Sequence, residues 1–315
     1  MENESGTHLK NIDRLSDFVW LDSPESVFEE VERIMKMVYP AFDRKQVRAA
    51  FGMAVDLYQG EFPGYRACNT EYHDLSHTID TFLAMARLIH GAVCGDKPFS
   101  QRDVVAGLVA ALLHDAGYIQ KDEDRTGTGA KYTVEHVQRS MDFLGRYGRD
   151  LGLSKAEIAA GRAMILCTDL AVDLEKVDFP GKDIELLGKM LGAADLLAQM
   201  SDRIYLEKLL LLYREFKEAQ VGGYDSEADL LEKTVDFFDL MANRFEKQLA
   251  GTDRFMRAHF AARWNIDRNL YLEAILKQKK YLRKVLMIPG ADPLAHLNRN
   301  GIADRIRKET TEQKN

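Results

Sequence analysis

The chain has 315 residues, enough for one large or two modest domains. Hydrophobic residues make up 46% and charged residues 30%, so a substantial core can be buried. A net charge of −7 leaves no basic footprint of the kind a nucleic-acid binder carries, so no nucleic-acid partner is expected. No apolar run approaches the ~18 residues a membrane helix requires, so no membrane partner is expected either. The opening Met1-Glu2-Asn3-Glu4-Ser5 is acidic and polar, unlike a secretory signal. Cys68, Cys94 and Cys167 match no zinc-finger or disulfide spacing and read as free thiols in a reducing compartment. The expected location is the cytoplasm.

Helical periodicity dominates, and no convincing strand-like alternation occurs, so an all-α fold is expected. Ser23-Pro24 starts a helix whose amphipathic stretch, 27–39, stops at Pro40. A second helix is predicted over 44–58, before Gly60 and Pro63-Gly64 break the pattern. Asp74 or Thr70 caps the next, with Leu75, Ile79, Phe82, Leu83 and Ala86 on one face. Ser100, answered by Asp103, caps a run from Val104 to Leu113 that is apolar on nearly all sides, as in a central, buried helix. Residues 121–131 read as a solvated loop, including the acidic run Asp122-Glu123-Asp124. Helices are then predicted over 132–147, 154–166, 186–212 and, after Gly222-Gly223, in a block over 226–286. The charged tail from Ile302 is expected to be frayed.

Polar residues inside these apolar segments are the informative ones. His73 and His77 stand four apart and share a helix face. His114-Asp115 ends the buried helix, where the dipole tolerates a cation but disfavours an anion. Asp195 lies in the apolar segment Leu191-Gly192-Ala193-Ala194-Asp195-Leu196-Leu197, whose small residues allow close helix approach. A buried, unpaired charge costs several kcal/mol. A divalent metal resolves the conflict by taking neutral imidazole and ionised carboxylate together. Two His and two Asp around one ion leave positions open for water or substrate.

The order His, His-Asp, Asp in an all-helical chain resembles the HD-domain metal-dependent phosphohydrolases. Within them the closer similarity is to the catalytic domain of cyclic-nucleotide phosphodiesterases. Tyr72-His73-Asp74-Leu75-Ser76-His77 resembles that family's Tyr-His-Asn-x-x-His, and Leu113-His114-Asp115 its His-Asp pair. Ile165-Leu166-Cys167-Thr168-Asp169-Leu170 resembles a segment ending Ala-Thr-Asp-Met, and Ala194-Asp195-Leu196 its later Ala-Asp-Leu. The likeness spans residues 72–216.

The resemblance implies that His77, His114, Asp115 and Asp195 hold a first metal, with Asp115 bridging to a second. It implies that His73 is the general acid and that Glu135 is the acid orienting it, while Thr168 bonds waters of the second metal. The implied cofactors are one or two divalent ions (Zn, Mn, Mg or Fe). The implied partner is a phosphorylated small molecule, a nucleotide above all.

The pattern also departs from the family. Tyr118 stands where phosphodiesterases carry a further His, which leaves the second ion weaker, absent or held differently, with His136 as a candidate. His-Asp-x-Gly-Tyr is closer to less specialised bacterial HD-domain proteins, and the Lys of the cyclic-dinucleotide subgroup is missing. Gln248, near Phe245 and Phe255, falls in the interval of the purine clamp, but a surface Gln and core Phe explain them better. Phe260, Trp264 and Tyr271 suit a pocket or a core equally. Arg263, Arg268, Lys279 and Lys280 read as solvated helix faces before phosphate contacts.

The expected organisation is an HD-type, phosphodiesterase-like helical bundle. It comprises an N-terminal helical extension (1–60), a catalytic core (61–216), C-terminal helices packed on it (217–290) and a tail (291–315). The expected activity is metal-dependent hydrolysis of a phosphoester, above all phosphodiesterase action on a cyclic nucleotide or a relative. The alternatives are a nucleotide phosphomonoesterase and a non-catalytic sensory module. Amphipathic stretches at 27–39 and 230–249 leave room for a homodimer interface.

Overall fold

The computed structural model describes residues 14, 15, 18, 23–290 and 292–312; the N-terminal pentapeptide read above lies outside them. The described residues form twelve α-helices and no sheet, as the periodicity predicts. In chain order they are α1 (Pro24–Val38), α2 (Lys45–Gln59), α3 (Leu75–Cys94), α4 (Gln101–Leu113), α5 (His136–Tyr147) and α6 (Lys155–Ile165). They continue as α7 (Lys182–Ser201), α8 (Tyr205–Glu218), α9 (Glu227–Lys247), α10 (Phe255–Trp264), α11 (Leu270–Leu286) and α12 (Ile302–Glu312).

Helices α3, α4 and α7 form the centre, because their sequences are apolar nearly all round. Every residue from Val104 to Leu113 is buried. The other helices cover these three with single apolar faces: α1 and α10 lie on α3, α2 and α6 on α4, and α6 and α11 on α7. The stripe of α1 (Val27, Phe28, Val31, Ile34 and Met35) therefore packs inside the chain and offers no dimer surface. One hydrophobic cluster runs from Phe18 to Ile306.

Local signals set most boundaries. Ser23, Asp74, Ser100, Ser154, Ser226 and Asn269 each accept a backbone N–H from the first turn of their helices. Two predicted helical regions resolve into separate helices. The stretch 186–212 breaks between α7 and α8, where Asp202 turns extended and accepts Ile204 N–H. The block 226–286 becomes three helices, with left-handed residues at Gly251 and Asn265 ending the turns. The tail is also firmer than its charge suggests. α12 buries Ile302, Ala303 and Ile306 and packs on α8, because a thin apolar stripe survives among its charges.

Candidate metal centre

His77 and His114 come together because α3 and α4 pack side by side, one offering its first turn and the other its last. The two Nε2 atoms lie 3.4 Å apart. Asp115 Oδ2 stands 3.4 Å from His77 Nε2 and 3.3 Å from His114 Nε2. Asp195 Oδ1, from the middle of α7, lies 3.0 Å from His77 Nε2 and 3.8 Å from His114 Nε2. All four residues are buried.

Three of these residues, His77, His114 and Asp115, fit a divalent cation. Bonds of about 2.0–2.2 Å to N and O place neighbouring donors of one ion about 3.0–3.5 Å apart. Asp115 Oδ2 is buried and accepts no hydrogen bond, so it holds a lone pair and a charge in want of a partner. His114 Nδ1 donates to Ala111 O at 2.9 Å, which leaves the Nε2 lone pair facing the cluster. Burial opposes charging His114, but Asp115 first and Asp195 after it outweigh burial and lift its pKa to about 9. Burial likewise opposes ionising Asp115, yet His114 and the other imidazoles hold its pKa well below the usual value. The cluster thus holds a proton on His114 that a cation can displace. His77, His114 and Asp115 together could hold a metal ion.

His73 stands beside this group, its ring centroid 6.1 Å from that of His77. Its Nδ1 is 2.6 Å from Glu215 Oε2, and the other oxygen of Glu215 accepts Tyr72 N–H at 2.7 Å. Burial pushes the His73 pKa down, but the Glu215 charge and hydrogen bond prevail and raise it. This corrects the sequence expectation for Glu135. That residue is the exposed N-cap position of α5, where its carboxylate has no hydrogen bond to His73. A signal for Glu215 was present: it lies one turn beyond Leu211 on the buried face of α8, where an acid is out of place.

Tyr118 sits flat between two imidazoles, 4.3 Å from His73 and 4.5 Å from His136 by ring centroids. Its hydroxyl is 3.4 Å from His73 Nε2. His136 is fixed by its Nδ1, 2.6 Å from Thr133 O, and its Nε2 lies 3.7 Å from Asp115 Oδ1. The unassigned edge of Asp115 therefore faces His136. Gly117 makes this approach feasible, since a Cβ there would fall 2.0 Å from His136 O. Gly192 does the same for α7, where a Cβ would meet Cys167 O at 2.5 Å.

Thr168 is buried in the short 3-10 turn Leu166–Thr168, and its hydroxyl donates to Ile165 O at 2.9 Å. Gln199 was missed by the sequence reading. It donates to Asp195 Oδ1 at 3.1 Å and accepts from Tyr72 OH at 2.7 Å, locking the carboxylate.

The remaining sequence candidates are structural. Gln248 accepts Leu174 N–H at 2.9 Å, and Phe245, Phe255 and Phe260 are core residues. Arg263 pairs with Glu30 and Lys279 with Asp239. Asp124 is held by Lys131 and Tyr132, which orders the 121–131 loop. The three cysteines are free thiols.

Fold and site together define an all-α protein with a buried His/Asp group able to hold a metal. The chain belongs to the Npun_R2479-like family, whose model matches residues 62–251. That span takes in every donor described above. A comparison with curated proteins returns no match. Among the described residues, no helix is long and apolar enough to cross a membrane.

Proposed function

We propose that the protein is a metal-dependent phosphohydrolase, acting above all as a phosphodiesterase on a cyclic nucleotide or related phosphoester. The observation that carries this reading is the unpartnered Asp115 Oδ2 between two imidazole nitrogens, with the His73–Glu215 pair alongside. His77, His114, Asp115 and Asp195 would hold the ion. A divalent ion there would supply Lewis-acid stabilisation to phosphoryl oxygens and would activate water.

The chain's own residues account for the proton. Glu215 holds the His73 Nδ1–H, so exchange is confined to Nε2. Burial opposes the charged ring, but the Glu215 charge and hydrogen bond favour the imidazolium and raise the His73 pKa. As the water oxygen bonds to phosphorus and the P–O bond to the leaving group breaks, His73 Nε2–H transfers its proton to the departing oxygen, while the attacking water gives up a proton to solvent, from which His73 Nε2 is reprotonated. Glu215 stabilises the imidazolium before that transfer and fixes the ring's orientation throughout.

A second reading, a ligand-binding module without turnover, draws on Tyr118, whose hydroxyl lies against His73 Nε2. One experiment separates the two. Purified protein is assayed for bound metal and for hydrolysis of bis-p-nitrophenyl phosphate and p-nitrophenyl phosphate with Mn, Mg or Zn. Diester hydrolysis that His73→Ala abolishes without losing metal supports the phosphodiesterase. Preference for the monoester supports a phosphomonoesterase, and bound metal without any turnover supports the binding module. Protein that takes up no metal and stays inactive overturns the proposal.

A further inference from the structure

The helices that bring the metal donors together also wall a separate cavity. It measures about 710 Å³, within the range of about 300–1,000 Å³ usual for small-molecule sites. α3 contributes Asp80 and Leu83, α7 contributes Ala198, and α11 contributes Leu270 and Tyr271. None of the four metal-donor residues is among its described lining residues.

Asp80 is the anomaly in this cavity. It lies one turn beyond His77 on α3 and retains some exposure, yet its Oδ1 is buried and has no hydrogen-bond partner. An unsatisfied buried acceptor costs about 1–3 kcal/mol, more when charged, and a ligand that brings a donor recovers that cost. The other acids lining the cavity are engaged: Asp202 pairs with Lys208 at 2.8 Å and Glu273 with Arg268 at 3.3 Å. Two exposed lining charges without an ion pair have the opposite sign. Arg203 and Lys277 line the cavity, are exposed and form no ion pair among the described residues.

We infer that this cavity binds a small bipolar molecule that donates N–H groups to Asp80 and presents an anion to Arg203 and Lys277. The apolar walls beside Asp80 favour a planar, delocalised amidine edge over a compact and strongly hydrated ammonium. A guanine nucleotide and free arginine share that chemistry: each has a planar N–C–N donor edge at one end and an anionic group at the other. The inference is independent of the hydrolase reading, because the cavity and the metal donors have no residue in common.

Isothermal titration of the full-length protein with guanosine 5′-monophosphate, and separately with L-arginine, tests it and distinguishes the two sources. Burial, then the Asp202 charge, raise the Asp80 pKa to about 8, so the titration is run at about pH 9, where Asp80 is ionised; saturable 1:1 binding of either probe is expected, weakened at least about tenfold by Asp80→Asn, the loss of one charge-assisted hydrogen bond. Arg203→Glu with Lys277→Glu weakens it similarly. His114→Ala removes a metal donor and leaves this binding unchanged. Ala274→Trp, which adds bulk to the cavity from α11 and keeps the Asp80 carboxyl, abolishes binding and serves where Asp80→Asn fails to fold. No heat from either probe at millimolar concentration overturns the inference. So does binding that survives both Asp80→Asn and Ala274→Trp, or that is lost in His114→Ala, which would put the probe at the metal centre.

Discussion

His73 Nδ1 and Glu215 Oε2 meet at 2.6 Å across 142 residues of sequence, joining the loop before α3 to the last turn of α8. The same carboxylate ties down Tyr72 N–H, so one buried acid sets both the ring and the backbone that carries it. The ring's second nitrogen is thereby the one free to exchange a proton.

Replacing that acid tests the relationship. Glu215→Gln removes the charge that raises the His73 pKa, so an NMR titration shows the His73 transition moving to lower pH. If the hydrolase reading holds, turnover falls by about 10²-fold or more while bound metal is unchanged. Glu135→Ala, at an exposed position, changes stability by less than about 0.5 kcal/mol and leaves turnover alone. An unmoved His73 titration in Glu215→Gln would contradict the assigned partner.

The donor set predicts a metal-linked stability. Added Zn or Mn raises the thermal midpoint, since a ligand at 100 times its Kd stabilises the folded state by about 2.7 kcal/mol. EDTA reverses the shift. His114→Ala and Asp115→Asn each abolish the response in differential scanning calorimetry, because both supply atoms of the group. A response that persists in both variants places the ion elsewhere.

Gly117→Ala is expected to be far costlier than an ordinary Gly-to-Ala change. The added Cβ would lie 2.0 Å from His136 O and 2.9 Å from Arg139 Cβ, so α5 must move away from Tyr118. Overpacking of this kind costs about 1–3 kcal/mol or more, measured by urea denaturation. A loss below about 0.5 kcal/mol would show that α5 yields freely.

Acid sensitivity has a source remote from the metal centre. His90 and His259 pack between α3 and α10 with their Nδ1 atoms 3.2 Å apart. Desolvation first, then Arg87, His90 and Arg263, hold the His259 pKa well below its usual value; desolvation and Arg263 lower that of His90. A depressed folded-state pKa means that the unfolded chain binds the proton first. Stability from this pair is therefore complete above about pH 6.5 and declines as pH falls below it, by up to about 1.4 kcal/mol per pH unit for each excess proton. In EDTA-treated protein, His259→Phe flattens the slope between about pH 6.5 and 5. Equal slopes in both proteins would remove His259 as the cause.

The parts of the site legible in the sequence are those where a residue breaks its own segment's pattern. His77 and Asp195 stand inside apolar helices and His114-Asp115 ends one, and the structure gathers all four. Glu135 was chosen by position within a likeness, and the loop before it, pinned through Asp124 and Thr128, carries it to the surface. Tyr118 read as a missing imidazole; in space it is a flat partition between His73 and His136.

The sequence by itself determined the helical class, most helix starts, the burial of α4 and the residues of the buried His/Asp cluster. Each is set by neighbours within a turn or two: side-chain caps, 3.6-residue periodicity, and polar groups on apolar faces. Tertiary structure alone decided which acid reaches His73, where α7 ends, how the tail packs, and that Asp80 opens into a cavity. Those outcomes depend on how close whole helices approach one another. That distance is fixed by packing among residues more than a hundred positions apart, as between Tyr72 and Glu215, and no local pattern encodes it.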